Sequence, residues 1–322
     1  MKRNLLILVV VSMLFLSGCS GTVPTPKVEP EVQVSIPTPV VPQHPDAIKR
    51  DALETYTARF DISFDGATPW KYQLIMRKSK TLHELQFHVE GLTGEENLGD
   101  VRLVTDGITS WMTGAGTDNE CIQVPTNSEL NPTFIYPEDV LSMQELLNAS
   151  EFIREEPYAG RTSLYYLAGP VAVGSWKNAS IEFHHEKDRE AMLQFALLGS
   201  GEDPFYGTGS GTIMATYAVE SLDEPVIELV GGCDISVMLP ETAEMFVRIP
   251  GMASFESADT PEAMAAFYQE HLPLAGWEVV EELAGSESAV VLSYARETEQ
   301  VEIRIKPIST GSKVEIFFFP TE

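Results

Sequence analysis

The chain has few basic residues for its length. Its 322 residues include 21 lysines and arginines against 48 aspartates and glutamates, so the formal net charge is −27. A surface this acidic repels nucleic-acid phosphates and anionic lipid headgroups. Nucleic-acid binding and broad adsorption to a membrane surface are therefore disfavoured, and we attribute the acidity to a well-solvated exterior in preference to a specific cationic partner.

Cysteine is scarce as well, with three in the whole chain, at Cys19, Cys121 and Cys233. None of them belongs to a CxxC pair, so a thiol redox motif is not expected. If Cys19 carries a lipid, Cys121 and Cys233 are the two remaining thiols, and they are expected to form a disulfide in an oxidising compartment. Two separate buried thiols are the alternative.

Recognisable catalytic motifs are missing. The sequence contains no GxSxG or HExxH pattern, and its glycine-rich run at residues 207–211 lacks the spacing of a phosphate-binding loop. His184 and His185 are adjacent in a predicted strand, so they face opposite sides and cannot both reach one metal ion. We therefore predict that the protein is not an enzyme and uses neither a metal nor another cofactor.

Long hydrophobic runs are limited to one, at residues 5–16, which follows Lys2 and Arg3. Such a segment is typical of a signal peptide, and Leu16-Ser17-Gly18-Cys19 has the pattern of a lipobox. The sequence predicts a lipoprotein signal peptide over 1–18, lipid attachment at Cys19 and a proline-rich tether over 19–46. The expected location is the extracytoplasmic face of the cell membrane, or the outer membrane in a two-membrane host.

From residue 56 onward, apolar and polar residues alternate in the manner of antiparallel strands. Strands are predicted over 56–64, 70–76, 82–90, 101–104, 108–112, 164–167, 179–184, 192–198, 212–219 and 226–229. Asp106-Gly107 favours a tight hairpin turn between two of them. The spacing of apolar residues over 137–148 interrupts this series and predicts a helix of about three turns.

A second domain is predicted over 241–322. Thr260-Pro261-Glu262 is a typical helix start, and strands are predicted over 277–283, 289–294, 301–305 and 314–319. The segment from Phe267-Tyr268 to Gly276-Trp277 resembles an envelope module with the pattern FYxxxLxxxGW. We predict a small α+β domain with one helix on a four-stranded antiparallel sheet, in which Trp277 fills the core.

Residues 47–240 resemble the LolA-like lipoproteins, which include the LppX and LprG group. The resemblance rests on the lipobox and tether, Asp106-Gly107 followed by Trp111, the central helix, the segment 158–166 and Gly232-Cys233. It implies an α+β fold in which a curled antiparallel sheet, an incomplete β-barrel, packs on helices. It also implies an apolar cavity that holds acyl chains.

Two functions agree with this resemblance. The first is a non-catalytic, membrane-anchored lipoprotein that binds a lipid or another apolar ligand in its half-barrel. The second is an envelope lipoprotein that senses or binds another protein without a lipid ligand, in an arrangement similar to RseB. A plain packed core needs the same inward-facing residues as a cavity, so both remain open. The residues expected to line the cavity are Phe60, Ile62, Phe64, Leu74, Met76, Phe87 and Val89.

Overall fold

The computed structural model describes residues 52–91, 100–114, 120–140, 146, 148–173, 176–188, 191–286 and 289–320. All of them belong to one compact unit, Pro42–Glu322. The predicted signal peptide, Cys19 and the tether lie outside the described residues.

The part of the chain before residue 222 forms a long run of antiparallel strands. Their bounds are β1 Tyr56–Gly66, β2 Trp70–Lys78, β3 His83–Glu90, β4 Asp100–Thr105, β5 Thr109–Thr113, β6 Ile122–Pro125, β7 Glu151–Tyr158, β8 Arg161–Val173, β9 Trp176–Glu186, β10 Met192–Glu202 and β11 Ser210–Ser221. The pairing order is β7-β8-β9-β10-β11-β1-β2-β3-β4-β5-β6.

The C-terminal part adds strands of its own. They are β12 Ala243–Ile249, β13 Met252–Ser257, β14 Glu278–Ser286, β15 Ala289–Arg296, β16 Glu299–Ile308 and β17 Gly311–Pro320, paired in the order β12-β13-β17-β16-β15-β14. The predicted four-stranded sheet is therefore corrected, because β12 and β13 extend it.

The two runs of strands join into one sheet of 17 strands, because β12 pairs with β6 at Arg248 and Gln123. The predicted antiparallel sheet is present, but the prediction that it curls into an incomplete barrel around helices is wrong. The protein is mostly β, and the first run of strands continues at β6 into the second run instead of curling around helices.

Two short helices are present among the described residues. Helix α1 covers Pro137–Val140, which is the start of the helix predicted over 137–148. Residues 141–145 and 147 of that predicted helix lie outside the described residues. Helix α2 covers Pro261–Leu274, and its N-cap hydroxyl at Thr260 accepts a hydrogen bond from the Ala263 amide, as the sequence indicates. Neither helix is long and apolar enough to cross a membrane.

Separate hydrophobic clusters fill the two parts of the sheet. The larger cluster packs on one face of β1–β6 and β8–β11 and includes Phe60, Phe195 and Tyr217. The C-terminal cluster lies between α2 and strands β13 and β15–β17, and Trp277 is buried in it as predicted. Arg296 covers the Trp277 ring from outside, with its guanidinium carbon 4.5 Å from the ring centroid.

Residues 222–242 connect β11 to β12 and are called the strap below. The strand predicted over 226–229 is wrong, because this segment pairs with no strand. Two of its apolar residues have another role: Ile227 and Val230 pack on Val104 and Trp111, which lie on the face of the first strands opposite the main core. Pro225 also lacks the amide that a ladder would need.

Candidate functional site

The seven predicted lining residues lie together on one face of β1, β2 and β3, and their side chains are between 0 and 5% exposed. They are covered by aromatic side chains from distant parts of the chain. Phe60 lies 6.2 Å from Phe195 between ring centroids, and Phe87 lies 5.1 Å from Phe134. These residues therefore belong to a packed core in this structure.

A cavity of about 210 Å³ remains at one end of this face. Its lining combines apolar and aromatic residues such as Tyr56, Leu103 and Phe134 with the polar Arg77 and Thr126. Sites for small-molecule ligands typically measure about 300–1,000 Å³. The cavity is therefore small for a lipid with long acyl chains.

A larger groove of about 370 Å³ lies on the opposite face of the sheet. Its lining combines the charged Asp61, Lys71, His88 and Glu90 with apolar side chains, among them Ile62 and the exposed Met214. The imidazole of His88 lies 2.7 Å from Asp100 and 3.2 Å from Glu90. The hydrogen bond with Glu90, together with that of Asp100, raises the pKa of His88 above its ordinary value.

The two adjacent histidines point to opposite faces of β9. His184 stacks on the Tyr158 ring at 4.9 Å and lies 3.1 Å from the Ser163 hydroxyl. His185 is buried on the other face, opposite Leu164 and Met192 in the strand ladders. In the part of the chain that the structure describes, no three metal-ligating side chains gather into a metal site.

The strap is held to the first strands by several contacts. The Arg102 guanidinium donates to the Glu228 carbonyl at 2.6 Å, and Lys80 lies 3.5 Å from the Glu224 carboxylate. Arg102 is itself held by Glu84, at 2.6 Å.

The predicted disulfide between Cys121 and Cys233 is present and ties the strap to the residues just before β6. It is consistent with an oxidising, extracytoplasmic location.

The far end of the strap belongs to the C-terminal part. Val237 is buried in the C-terminal cluster, and Ile235 and Leu239 pack against it. The Thr242 hydroxyl donates to Asp259 at 2.6 Å. The strap thus packs on Val104 and Trp111 through its first half and on the C-terminal cluster through its second half, and its solvent-exposed side is called its outer side.

That outer side exposes large apolar side chains. Val226 is 89% exposed, Leu229 53%, Met238 51% and, just beyond the strap in β12, Met245 58%. Met245 has a φ of 52° and lies where the β12–β13 register shifts, a bulge that interrupts regular pairing. A left-handed backbone at a methionine costs about 1 kcal/mol or more, so the fold maintains this position against strain. We call these four residues the junction surface.

Sequence reasoning missed the junction surface, because Val226 and Leu229 were assigned to a strand. Residues 222–245 contain no lysine, arginine or histidine, but the connection over 126–150 lacks basic residues as well, so this absence could not have identified the surface.

Comparisons with known proteins give partial likenesses. A family model described as START domain-like matches residues 238–314, which include α2 and most of the C-terminal strands. A search of curated proteins finds no match. The C-terminal part is thus similar to START domain-like proteins.

Solved structures with similar chains include two of MucB. The complex of MucA and MucB from Pseudomonas aeruginosa is 12% identical, covers 85% of this chain and 96% of that chain, and gives a TM-score of 0.27. The structure of MucB in complex with MucA(peri) is 10% identical, with 84% of this chain and 96% of that chain covered and a TM-score of 0.23. A DUF1329 family protein from Desulfovibrio piger ATCC 29098 is 9% identical, with 53% of this chain and 87% of that chain covered and a TM-score of 0.21. TM-scores this low carry no argument about function.

Proposed function

We propose that the protein is a membrane-anchored envelope lipoprotein that binds another protein at the junction surface and catalyses no reaction. Lipid attachment at Cys19 and export by the signal peptide are part of this proposal. The observation that carries it is the set of exposed apolar side chains on the strap and β12, the segments that connect the first run of strands to the C-terminal part. Exposed apolar surface of this kind typically marks a contact site.

The state of the core supports this proposal over lipid binding. Side chains that would have to surround an acyl chain are in contact with one another and with aromatic rings, and the cavity beside them is about 210 Å³. Uptake of a lipid would require these side chains to separate, at a cost in packing. A contact through the junction surface requires no such change.

Photo-crosslinking in living cells tests the proposal. A photoreactive amino acid is placed in the full-length lipoprotein at Val226, Leu229, Met238 or Met245, one position at a time. Leu198 and Met214 serve as controls, because they are 49% and 55% exposed on β10 and β11, away from the strap.

We expect a discrete protein adduct from the junction positions and none from the control positions. Crosslinks to lipid at the junction, or equal protein adducts at all six positions, would contradict the proposal. Mass spectrometry of organic extracts gives the complementary result. Stoichiometric acyl lipid in the purified protein would instead support binding in the core.

A further inference from the structure

The junction surface is flanked by carboxylates that have no basic partner in the described structure. Five acidic side chains of the strap and β12 are exposed and form none of the ion pairs found elsewhere on the sheet: Asp223, Glu228, Asp234, Glu241 and Glu244. Glu224 is the exception, since it pairs with Lys80.

The cations that reach the strap do not neutralise these carboxylates. Arg102 donates to the carbonyl oxygen of Glu228, and Arg248 donates to the carbonyl oxygen of Asp234. Both guanidiniums thus hold the backbone of the strap and leave the carboxylates of the same residues in solvent. In the sequence of the strap and β12, these uncompensated carboxylates are interspersed with the exposed Val226, Leu229, Met238 and Met245.

We infer that the occupant of the junction surface is a basic, amphipathic segment of another envelope protein, an inference that rests on the proposed function. Its apolar side chains would cover the exposed valine, leucine and methionines, while its lysines or arginines would face the five carboxylates. Complementary charge of this kind speeds encounter and selects partners, and the apolar contacts hold the complex.

Other occupants fit the same surface less well. A second copy of this chain, bound through the same surface by a two-fold axis, would bring like carboxylates together. An anionic membrane surface would be repelled for the same reason. A basic amphipathic segment satisfies both the charge and the apolar area.

Fluorescence anisotropy with designed peptides tests this chemistry. The protein is the full chain with Cys19→Ala, which prevents acylation. The probe is a labelled amphipathic peptide of leucine and lysine, compared with one in which glutamate replaces lysine and one in which serine replaces leucine. We expect the leucine–lysine peptide to bind about tenfold more tightly than either of the others.

Matched charge variants separate a specific surface from the general field of an acidic protein. The junction variant changes the five carboxylates above to Asn or Gln. The control variant makes the same number of Asp→Asn and Glu→Gln changes at exposed acidic residues away from the strap, namely Asp65, Asp188, Glu129, Glu151 and Glu278. Both variants have the same net charge, and circular dichroism checks that both fold.

We expect the junction variant to bind the leucine–lysine peptide about tenfold more weakly, and the control variant to change binding by no more than about twofold. Equal weakening in both variants, or equal binding of the serine peptide, would overturn the inference. If the leucine–lysine peptide does not bind but Leu229 forms protein crosslinks in cells, the inference of a basic partner is rejected and the proposed function is retained. Peptide binding without crosslinks would reject the proposed function.

Discussion

At the scale of single residues, Glu84 is a buried acid, 2% exposed, that two arginines hold. Its carboxylate accepts hydrogen bonds from Arg77 at 2.8 Å and from Arg102 at 2.6 Å. Burial raises the pKa of Glu84, but the hydrogen bonds from Arg77, Arg102 and Gln86 outweigh this effect and lower the pKa below its ordinary value. Because Arg102 also holds the strap, Glu84 links the sheet to the junction surface.

The variant Glu84→Gln should lower the free energy of unfolding at neutral pH by about 2 kcal/mol, since two guanidiniums lose their carboxylate. A lowered folded-state pKa gives stability that is present above the unfolded-state pKa and is lost as pH falls through the folded-state value. The difference from wild type should therefore shrink below about pH 4. Urea unfolding at several pH values measures it, and an unchanged difference at low pH would contradict this assignment.

His88 should show the opposite pH dependence. Its raised pKa means that the ion pairs with Glu90 and Asp100 stabilise the folded protein fully below the unfolded-state pKa, and that this contribution is lost as pH rises through the folded-state pKa. The variant His88→Gln should therefore be less stable than wild type at about pH 5.5 and equal to it at about pH 8.5. NMR titration of the imidazole checks the direction directly, and a pKa below its ordinary value would refute the account.

At the scale of elements, the strap depends on the disulfide, which closes a loop of 112 residues. The double variant Cys121→Ala, Cys233→Ala should lower the free energy of unfolding by up to about 4 kcal/mol. The strap should also become more sensitive to protease than the turns between strands, because its centre would then be held without a covalent link, by the packing of Ile227 and Val230 and the hydrogen bonds from Arg102 and Arg248. Thermal unfolding and limited proteolysis measure both effects. Unchanged stability with an unchanged cleavage pattern would show that the strap is held without the disulfide.

The bulge of β12 offers a second test at this scale. The variant Met245→Gly removes the strain of a positive φ but increases the freedom of the unfolded chain, so stability should change by less than about 0.5 kcal/mol. The matched variant Met214→Gly replaces an equally exposed methionine in a regular strand and should lose about 1 kcal/mol. Equal losses would show that no strain is stored at Met245. Partner crosslinking from Leu229 should fall for Met245→Gly alone.

The elements also show what the sequence could predict. Alternation from Tyr56 to Phe64 identified β1, because one face of that strand is buried and the other is solvated. The apolar run at residues 226–230 misled, because Ile227 and Val230, three residues apart, pack on the sheet from above without pairing in it. Strand β7 was missed because its edge position allows Arg154, Glu155 and Pro157, which break the pattern.

At the scale of the whole molecule, local patterns could not predict whether the inward face encloses a cavity or a core. The seven residues predicted to line a cavity lie on one face, but the space before them is filled by Phe134, Phe195 and Tyr217, which are far away in the sequence. Local sequence patterns also could not predict that β6 would pair with β12 and so extend the first run of strands into the second run. Both outcomes depend on long-range pairing.

The central claim is that the strap surface, and not the core, is where this protein makes its functional contact. Leu229 and Leu198 provide the most direct comparison, because they are the same residue type and are 53% and 49% exposed. A photoreactive side chain at Leu229 should give a discrete protein adduct in cells, and the same group at Leu198 should give none. Equal adducts at both positions, or none at Leu229, would contradict the account.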